Sequence, residues 1–199
     1  RFGGSADFLA RWGLEKHGLT PGKDVIILQT GGNPERLAAV SQSAIQATLL
    51  EQSFASRAKK AGLHTVIDYS TIGLDYQHSG IGATKSFVET HHELTTNFLK
   101  ALIEGIHRMK TDRDFAMKVI AHHLRTNDPA TLQIAYQYNV PTVPDMPYVN
   151  LKGIKFLLDY IGETNPKAKT AQPENIADNG PLKEIEASGF LKTLGIGHF

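Results

Sequence analysis

The chain has 199 residues, of which 41% are hydrophobic and 21% charged, a balance typical of a soluble globular protein. A formal net charge of +1 provides little electrostatic attraction to nucleic acid or to membrane lipid. We therefore expect a small molecule or a protein as partner, and no nucleic acid. The absence of cysteine excludes disulfides, thiolate nucleophiles and cysteine-ligated metal sites.

The first part of the chain predicts helices that alternate with short apolar runs. Ser5 is a suitable N-cap for a helix over 5–17, and Gly18 is a suitable stop. Two further helices are predicted over 34–42 and 53–61. Apolar runs typical of buried parallel strands lie at 25–28, 44–49 and 64–68. This order predicts an α/β layer whose parallel strands carry the helix starts and glycine turns at their carboxyl edge.

The rest of the chain predicts a mainly helical segment. Helices are predicted, in chain order, over 92–109, 112–124, 129–138, 150–161 and 182–187. The first of these should bury the face formed by Leu94, Phe98, Leu102 and Ile106. Three prolines predict a loop over 139–147. We therefore expect an α/β lobe over 1–76 and a mainly helical part over 77–199.

Two glycine turns are the candidate ligand-binding elements. Gly3, Gly4 and Ser5 present backbone N–H groups and a hydroxyl at a helix start, which suits a carboxylate, sulfonate or phosphate. Thr30 and Gly31 form a second such turn, one helix–strand unit later. A single turn of this kind is more often only a helix cap, but two at successive strand ends favour a shared ligand-binding edge.

Other patterns indicate neither a metal site nor a catalytic site. The histidines at 91–92 and 122–123 lack the spacing that places two metal ligands on one helix face. No nucleophile motif is present. Glu51 follows an apolar run, where a functional carboxylate or a charge favoured by a helix start would equally lie. We keep Glu51 as a ligand-binding candidate and expect no catalytic residue, metal or cofactor.

Several motifs together resemble one known family. They are Gly-Gly-Ser-Ala-Asp-Phe at 3–8, Gly-Ile-Gly-Ala-Thr at 80–84, Phe-Leu-Lys-Ala-Leu-Ile-Glu-Gly at 98–105, Pro-Tyr-Val at 147–149 and Ser-Gly-Phe at 188–190. Their order and spacing are similar to those of the substrate-binding proteins of ABC importers, of the nitrate, sulfonate, taurine and thiamine-precursor type. The chain departs from that pattern at 43–47, where Ser-Ala-Ile-Gln-Ala stands for the family's Gly-x-Ile/Val-Asp-Ala.

The resemblance implies a periplasmic-binding-protein type II-like fold in which 1–76 is the second lobe and 77–199 completes the first. By the same resemblance, most of that first lobe would precede Gly3 and would be lacking here. The implied function is the capture of a small anionic or heterocyclic nutrient between two lobes. Gly3, Gly4 and Ser5 would contact the acidic group of the ligand, and Thr30 and Gly31 would lie beside that group. The ligand would pass to an ABC permease in the membrane.

The same resemblance implies a protein that is not an enzyme and that lies in the periplasm or is lipid-anchored outside the cell. It would be a monomer unless a second copy replaces the missing lobe by swapping. Two alternatives remain: an enzyme on the same fold, and a ligand sensor or defective remnant of it.

Overall fold

The computed structural model of the protein describes residues 2–197 and divides the chain into two compact units. The first unit ends at Ile72 and the second begins at Gly73. The helices of the first unit are α1 Ser5–Lys16, α2 Asn33–Ser41 and α3 Gln52–Lys60. Those of the second unit are α4 Lys85–Thr90, α5 His92–Thr111, α6 Arg113–Leu124, α7 Pro129–Thr142, α8 Leu151–Gly162, α9 Pro166–Thr170, α10 Gly180–Ala187 and α11 Phe190–Thr193, with a 3-10 helix at Pro173–Asn175.

The prediction of an α/β, type II-like fold is wrong, because 58% of the chain is helical, 1% is strand, and no sheet forms within residues 2–197. The stretches predicted as strands are 25–28, 44–49 and 64–68. The β-type pairing described is a single bridge between Pro21 and Val25. Ile26 is 78% exposed and Val66 87%. A buried parallel strand needs hydrogen-bonded neighbours and a covering layer on each face. These stretches have neither, so the α/β lobe predicted over 1–76 is a helical unit instead.

The predicted helices of both units are present, since their caps and stops are local signals. The exception in length is α7, which was predicted to end at residue 138 and continues to Thr142. Pro141 therefore lies in the last turn of a helix, in a stretch predicted as a loop. Asn139 supports this turn, because its side-chain amide donates to the carbonyl of Ala135 at 2.7 Å. A proline so close to the helix end leaves few further backbone bonds to disturb.

The core of the second unit forms where α5 and α10 pack together. Ile103 of α5 and Ile185 of α10 are its fully buried side chains. Buried around them are Met146, Leu182 and Leu191. This cluster joins the middle of the longest helix to the C-terminal helices, so it fixes the framework of the unit.

The buried face of α5 is rotated from the predicted one and shares Ile106 with it. Leu94 and Phe98 are exposed and Leu102 is half-buried, whereas Ile106 is buried as predicted. Ile103, which is buried, and Leu99, which packs against the core, complete the observed face. The helix carries apolar residues on two overlapping faces, and its packing against α10 selects the second one.

In the first unit, the side chain of Tyr69, which follows α3 in the chain, contacts α1. Its hydroxyl donates to the carbonyl of Leu9 at 2.7 Å, and its ring lies 6.2 Å from that of Trp12. A Cβ on Gly13 would lie 2.1 Å from the Tyr69 hydroxyl oxygen, so the absence of a side chain at Gly13 makes room for the contact. Burial raises the pKa of Tyr69.

We expect the Tyr69→Phe variant to lose about 0.5–1.5 kcal/mol of stability, the usual net value of one hydrogen bond. The measurement is urea denaturation of both proteins. Tyr138→Phe is the matched control, since its exposed hydroxyl bonds no described residue. An equal loss in both variants would show that the Tyr69 hydroxyl adds nothing specific.

Candidate functional site

The first glycine turn is positioned by α1 and by an acidic side chain. Gly4 is the N-cap residue and Ser5 is the first helical residue, so the predicted N-cap role of Ser5 is wrong. Gly3 has a φ of +73°, a conformation that favours glycine. The N–H of Gly3 donates to Asp7 Oδ2 at 2.9 Å, and Asp7 Oδ1 accepts from Arg11 Nε at 2.9 Å. One donor of the turn is therefore already occupied by a carboxylate.

The second glycine turn, at the start of α2, likewise has a backbone N–H bonded to a carboxylate of its own helix. Gly32 is the N-cap residue, and its N–H donates to Glu35 Oε2 at 2.9 Å. Gly31 has a φ of +97°, and a Cβ there would lie 3.1 Å from the Glu35 Cβ. This turn therefore requires glycine at 31 both for its backbone conformation and for space. The N–H of Gly32, like that of Gly3, is occupied by a carboxylate of its own helix.

Hydrogen bonds join these turns to each other and to Glu51. The N–H of Phe2 donates to Gln29 Oε1 at 3.2 Å, which connects the first turn to the residue before Thr30. Asn33 Oδ1 accepts from the N–H of Glu51 at 3.1 Å, which connects the start of α2 to the N-cap of α3. We call residues 2–5, 29–33 and 51, with the helix starts they precede, the linked edge.

The linked edge contains all six residues predicted to bind ligand: Gly3, Gly4, Ser5, Thr30, Gly31 and Glu51. Three helices begin at this edge, and the first-turn N–H groups of a helix have no acceptor inside their own helix. The side chains of Ser5 and Thr30 bond no other described residue, and both residues are half-buried. Glu51 is exposed. The edge can thus offer neutral donors to an anion, although Asp7 and Glu35 reduce its positive potential.

Arg36 is a feature of this edge that the sequence analysis missed. Its Nε donates to the carbonyl of Gly32 at 3.2 Å, and its Nη2 to Asn33 Oδ1 at 3.3 Å. The guanidinium is therefore held at the start of its own helix. An arginine four residues after the N-cap glycine is the signal that could have indicated it.

Groups with perturbed pKa values lie at other places in the chain. Hydrogen bonds from the side chain and backbone of Ser70 lower the pKa of Asp68. Desolvation and the neighbouring Glu186 raise the pKa of Tyr148 to about 12, and the Tyr148 hydroxyl donates to Glu186 Oε2 at 2.6 Å. Each shift has a local structural cause, and none concerns a residue predicted to bind ligand.

Three histidines of the second unit take part in side-chain pairs. His92 Nε2 lies 3.0 Å from Glu184 Oε2, and the rings of His122 and His123 meet edge to face with centroids 5.4 Å apart. Across residues 2–197 no three histidine or acidic side chains are grouped closely enough to hold a metal ion. None of the described helices combines the length and apolar composition that crossing a membrane requires.

No family model, curated protein or solved structure matches the chain. The resemblance to importer substrate-binding proteins therefore stays a hypothesis that depends on the motifs themselves.

Proposed function

We propose that the chain is a solute-binding protein whose linked edge holds the anionic group of a small ligand. The observation that carries the proposal is the pair of hydrogen bonds from Phe2 to Gln29 and from Glu51 to Asn33. They connect three chain segments that the sequence had indicated separately as ligand-binding. This support does not depend on a sheet, because the connections are side-chain and backbone bonds between helix starts.

The donors assigned to the ligand are the hydroxyls of Ser5 and Thr30 and the first-turn N–H groups of α1 and α2. The N–H groups of Gly3 and Gly32 are not assigned to it, since Asp7 and Glu35 already accept from them. A charge at one exposed helix end contributes about 0.3–1 kcal/mol. Two helix ends of this kind and two hydroxyl hydrogen bonds of about 0.5–1.5 kcal/mol each contribute about 2–5 kcal/mol in all, so the affinity is of the order of millimolar at best.

The ligand class, the transport partner and the location in this proposal come from the motif resemblance. The ligand belongs to the sulfonate, nitrate, taurine or thiamine-precursor class and is passed to an ABC permease, and the chain works in the periplasm or from a lipid anchor. The proposal assigns no reaction to the site. Its support is the order and spacing of motifs such as 80–84 and 98–105.

A sulfate titration followed by amide NMR tests the binding site. At constant ionic strength we expect saturable shifts at the amides of Ser5, Gly31 and Asn33, with a dissociation constant of about 1 mM. Ser5→Ala removes a hydroxyl that bonds no described residue, and should weaken binding by about 1 kcal/mol, roughly fivefold.

Ser41→Ala is the control, because Ser41 lies at the other end of α2 and its hydroxyl bonds no described residue. Shifts that grow linearly with sulfate and spread over both units would contradict the proposal. So would saturable binding that Ser5→Ala leaves unchanged.

A further inference from the structure

The sequence contains a single asparagine that is followed by glycine, Asn179 before Gly180. Such a pair deamidates without an enzyme, because glycine has no Cβ to hinder the approach of its backbone nitrogen to the asparagine side chain. Asn179 is the N-cap residue of α10 and is half-buried. The rate of this reaction therefore depends on how the structure holds the two reacting groups.

The side-chain amide of Asn179 is bonded twice to one residue of the backbone. Its Oδ1 accepts from the N–H of Val149 at 2.8 Å, and its Nδ2 donates to the carbonyl of Val149 at 3.1 Å. An N-cap asparagine usually accepts from the first turn of its own helix, and Asn179 makes no such bond. We call the two bonds the Val149 clasp. It connects the start of α10 to the residue before the N-cap of α8.

Both groups that react in deamidation are engaged in the folded chain. The backbone nitrogen of Gly180 must reach Cγ of Asn179, and the Val149 clasp fixes that carboxamide on a different partner. The N–H of Gly180 donates to Asp178 Oδ1 at 2.7 Å. The carboxamide and the nitrogen must leave these partners before they can meet, so the reaction requires local opening of the start of α10.

We propose that Asn179 is a site of spontaneous deamidation that the Val149 clasp protects, so that the rate of deamidation follows how often the start of α10 opens. The Gly180 nitrogen forms a bond to Asn179 Cγ, the Cγ–Nδ2 bond breaks, and the amide group leaves with the proton of the Gly180 nitrogen as ammonia. Water then cleaves one of the two carbonyl–nitrogen bonds of the cyclic imide and leaves aspartate or isoaspartate.

The product cannot re-form the Val149 clasp. A carboxylate only accepts hydrogen bonds, so the Val149 carbonyl loses the donor that it had in Nδ2. A carboxylate at a helix start gains less than a half-buried carbonyl loses with its partner. Because α10 carries Leu182 and Ile185 of the core, deamidation lowers the stability of the second unit.

The test measures deamidation by mass spectrometry of proteolytic peptides, after incubation of the Ser79→Asn variant at neutral pH. This substitution places a second asparagine before a glycine, in a stretch where Ser79 and Gly80 are exposed, and so provides a reference within the same molecule. In the folded protein we expect deamidation at position 179 to be at least about tenfold slower than at position 79, since only opened molecules react. In guanidinium chloride the two positions should react at similar rates.

Equal rates at the two positions in the folded protein would overturn the protection by the Val149 clasp. A position 179 that does not react in the denatured chain would overturn the site itself. If Ser79→Asn has lost its native amide spectrum, the wild-type rates at Asn179 in the folded and the denatured chain decide, and equal rates there overturn the protection.

Urea denaturation tests the consequence for stability. Asn179→Asp should raise the equilibrium constant of unfolding about fivefold, the usual loss for one hydrogen bond. Asn175→Asp is the matched control, because Asn175 is an exposed residue of the 3-10 helix, and it should leave that constant nearly unchanged. An Asn179→Asp variant as stable as Asn175→Asp would overturn the destabilisation by deamidation.

Discussion

Replacing Ile103 with alanine is expected to destabilise the second unit by about 2–5 kcal/mol, the range for removing a large buried aliphatic side chain. Ile103 is 0% exposed and packs in the cluster that joins α5 to α10. Its loss would leave a cavity next to Ile185, which is also fully buried. Urea denaturation followed by far-ultraviolet circular dichroism measures the change.

Phe98→Ala on the same helix is the control that separates the observed face from the predicted one. Phe98 is 51% exposed, so its truncation should cost clearly less than that of Ile103. The face predicted from the sequence, which contains Phe98 and not Ile103, requires the reverse order. A larger loss for Phe98→Ala would therefore overturn the packing described for α5.

Gly153→Ala is expected to destabilise the second unit by about 1–3 kcal/mol, because the added methyl group meets backbone rather than a movable side chain. A Cβ on Gly153 would lie 2.6 Å from the backbone nitrogen of Gln77 and 2.9 Å from the carbonyl carbon of Tyr76. Asn150 holds this contact in place, since its N–H donates to Gln77 Oε1 at 2.8 Å and its Oδ1 accepts from the N–H of Gly153 at 3.1 Å.

Gly105→Ala is the matched control within a helix. Nothing lies within 4 Å of a Cβ at Gly105. Alanine should there stabilise the protein by about 0.5–1 kcal/mol, the difference in helix propensity. The two substitutions thus have opposite expected signs in the same denaturation experiment. A stabilising Gly153→Ala would show that α8 does not pack closely on the segment containing Gln77.

The longer helices could be predicted from the sequence, whereas the short helices α4, α9 and α11 and the arrangement of the apolar runs were not predicted. A helix satisfies its backbone within a few residues, so caps such as Asp112 and stops such as Gly18 suffice to locate it. A strand is defined by a partner distant in the chain, and an apolar run such as 25–28 carries no information on whether that partner exists. The choice between the two faces of α5 is likewise made by α10.

The same difference between local and long-range contacts decides which parts of the candidate site could be predicted from the sequence. Glycine turns at helix starts are local patterns, so Gly3 and Gly31 could be singled out from the sequence. The bonds that connect the turns come from Gln29 and Asn33, whose partners lie 27 and 18 residues away, and no spacing rule indicates them.

The extended stretch 26–30 bears on how the protein behaves in concentrated solution. It consists of Ile, Ile, Leu, Gln and Thr, without charge, proline or glycine. It takes part in no described sheet, and Ile26 and Leu28 are exposed. A backbone of this kind is a template for intermolecular cross-β association. A net charge of +1 supplies little colloidal repulsion against such association, so we expect aggregation to increase as the protein concentration rises.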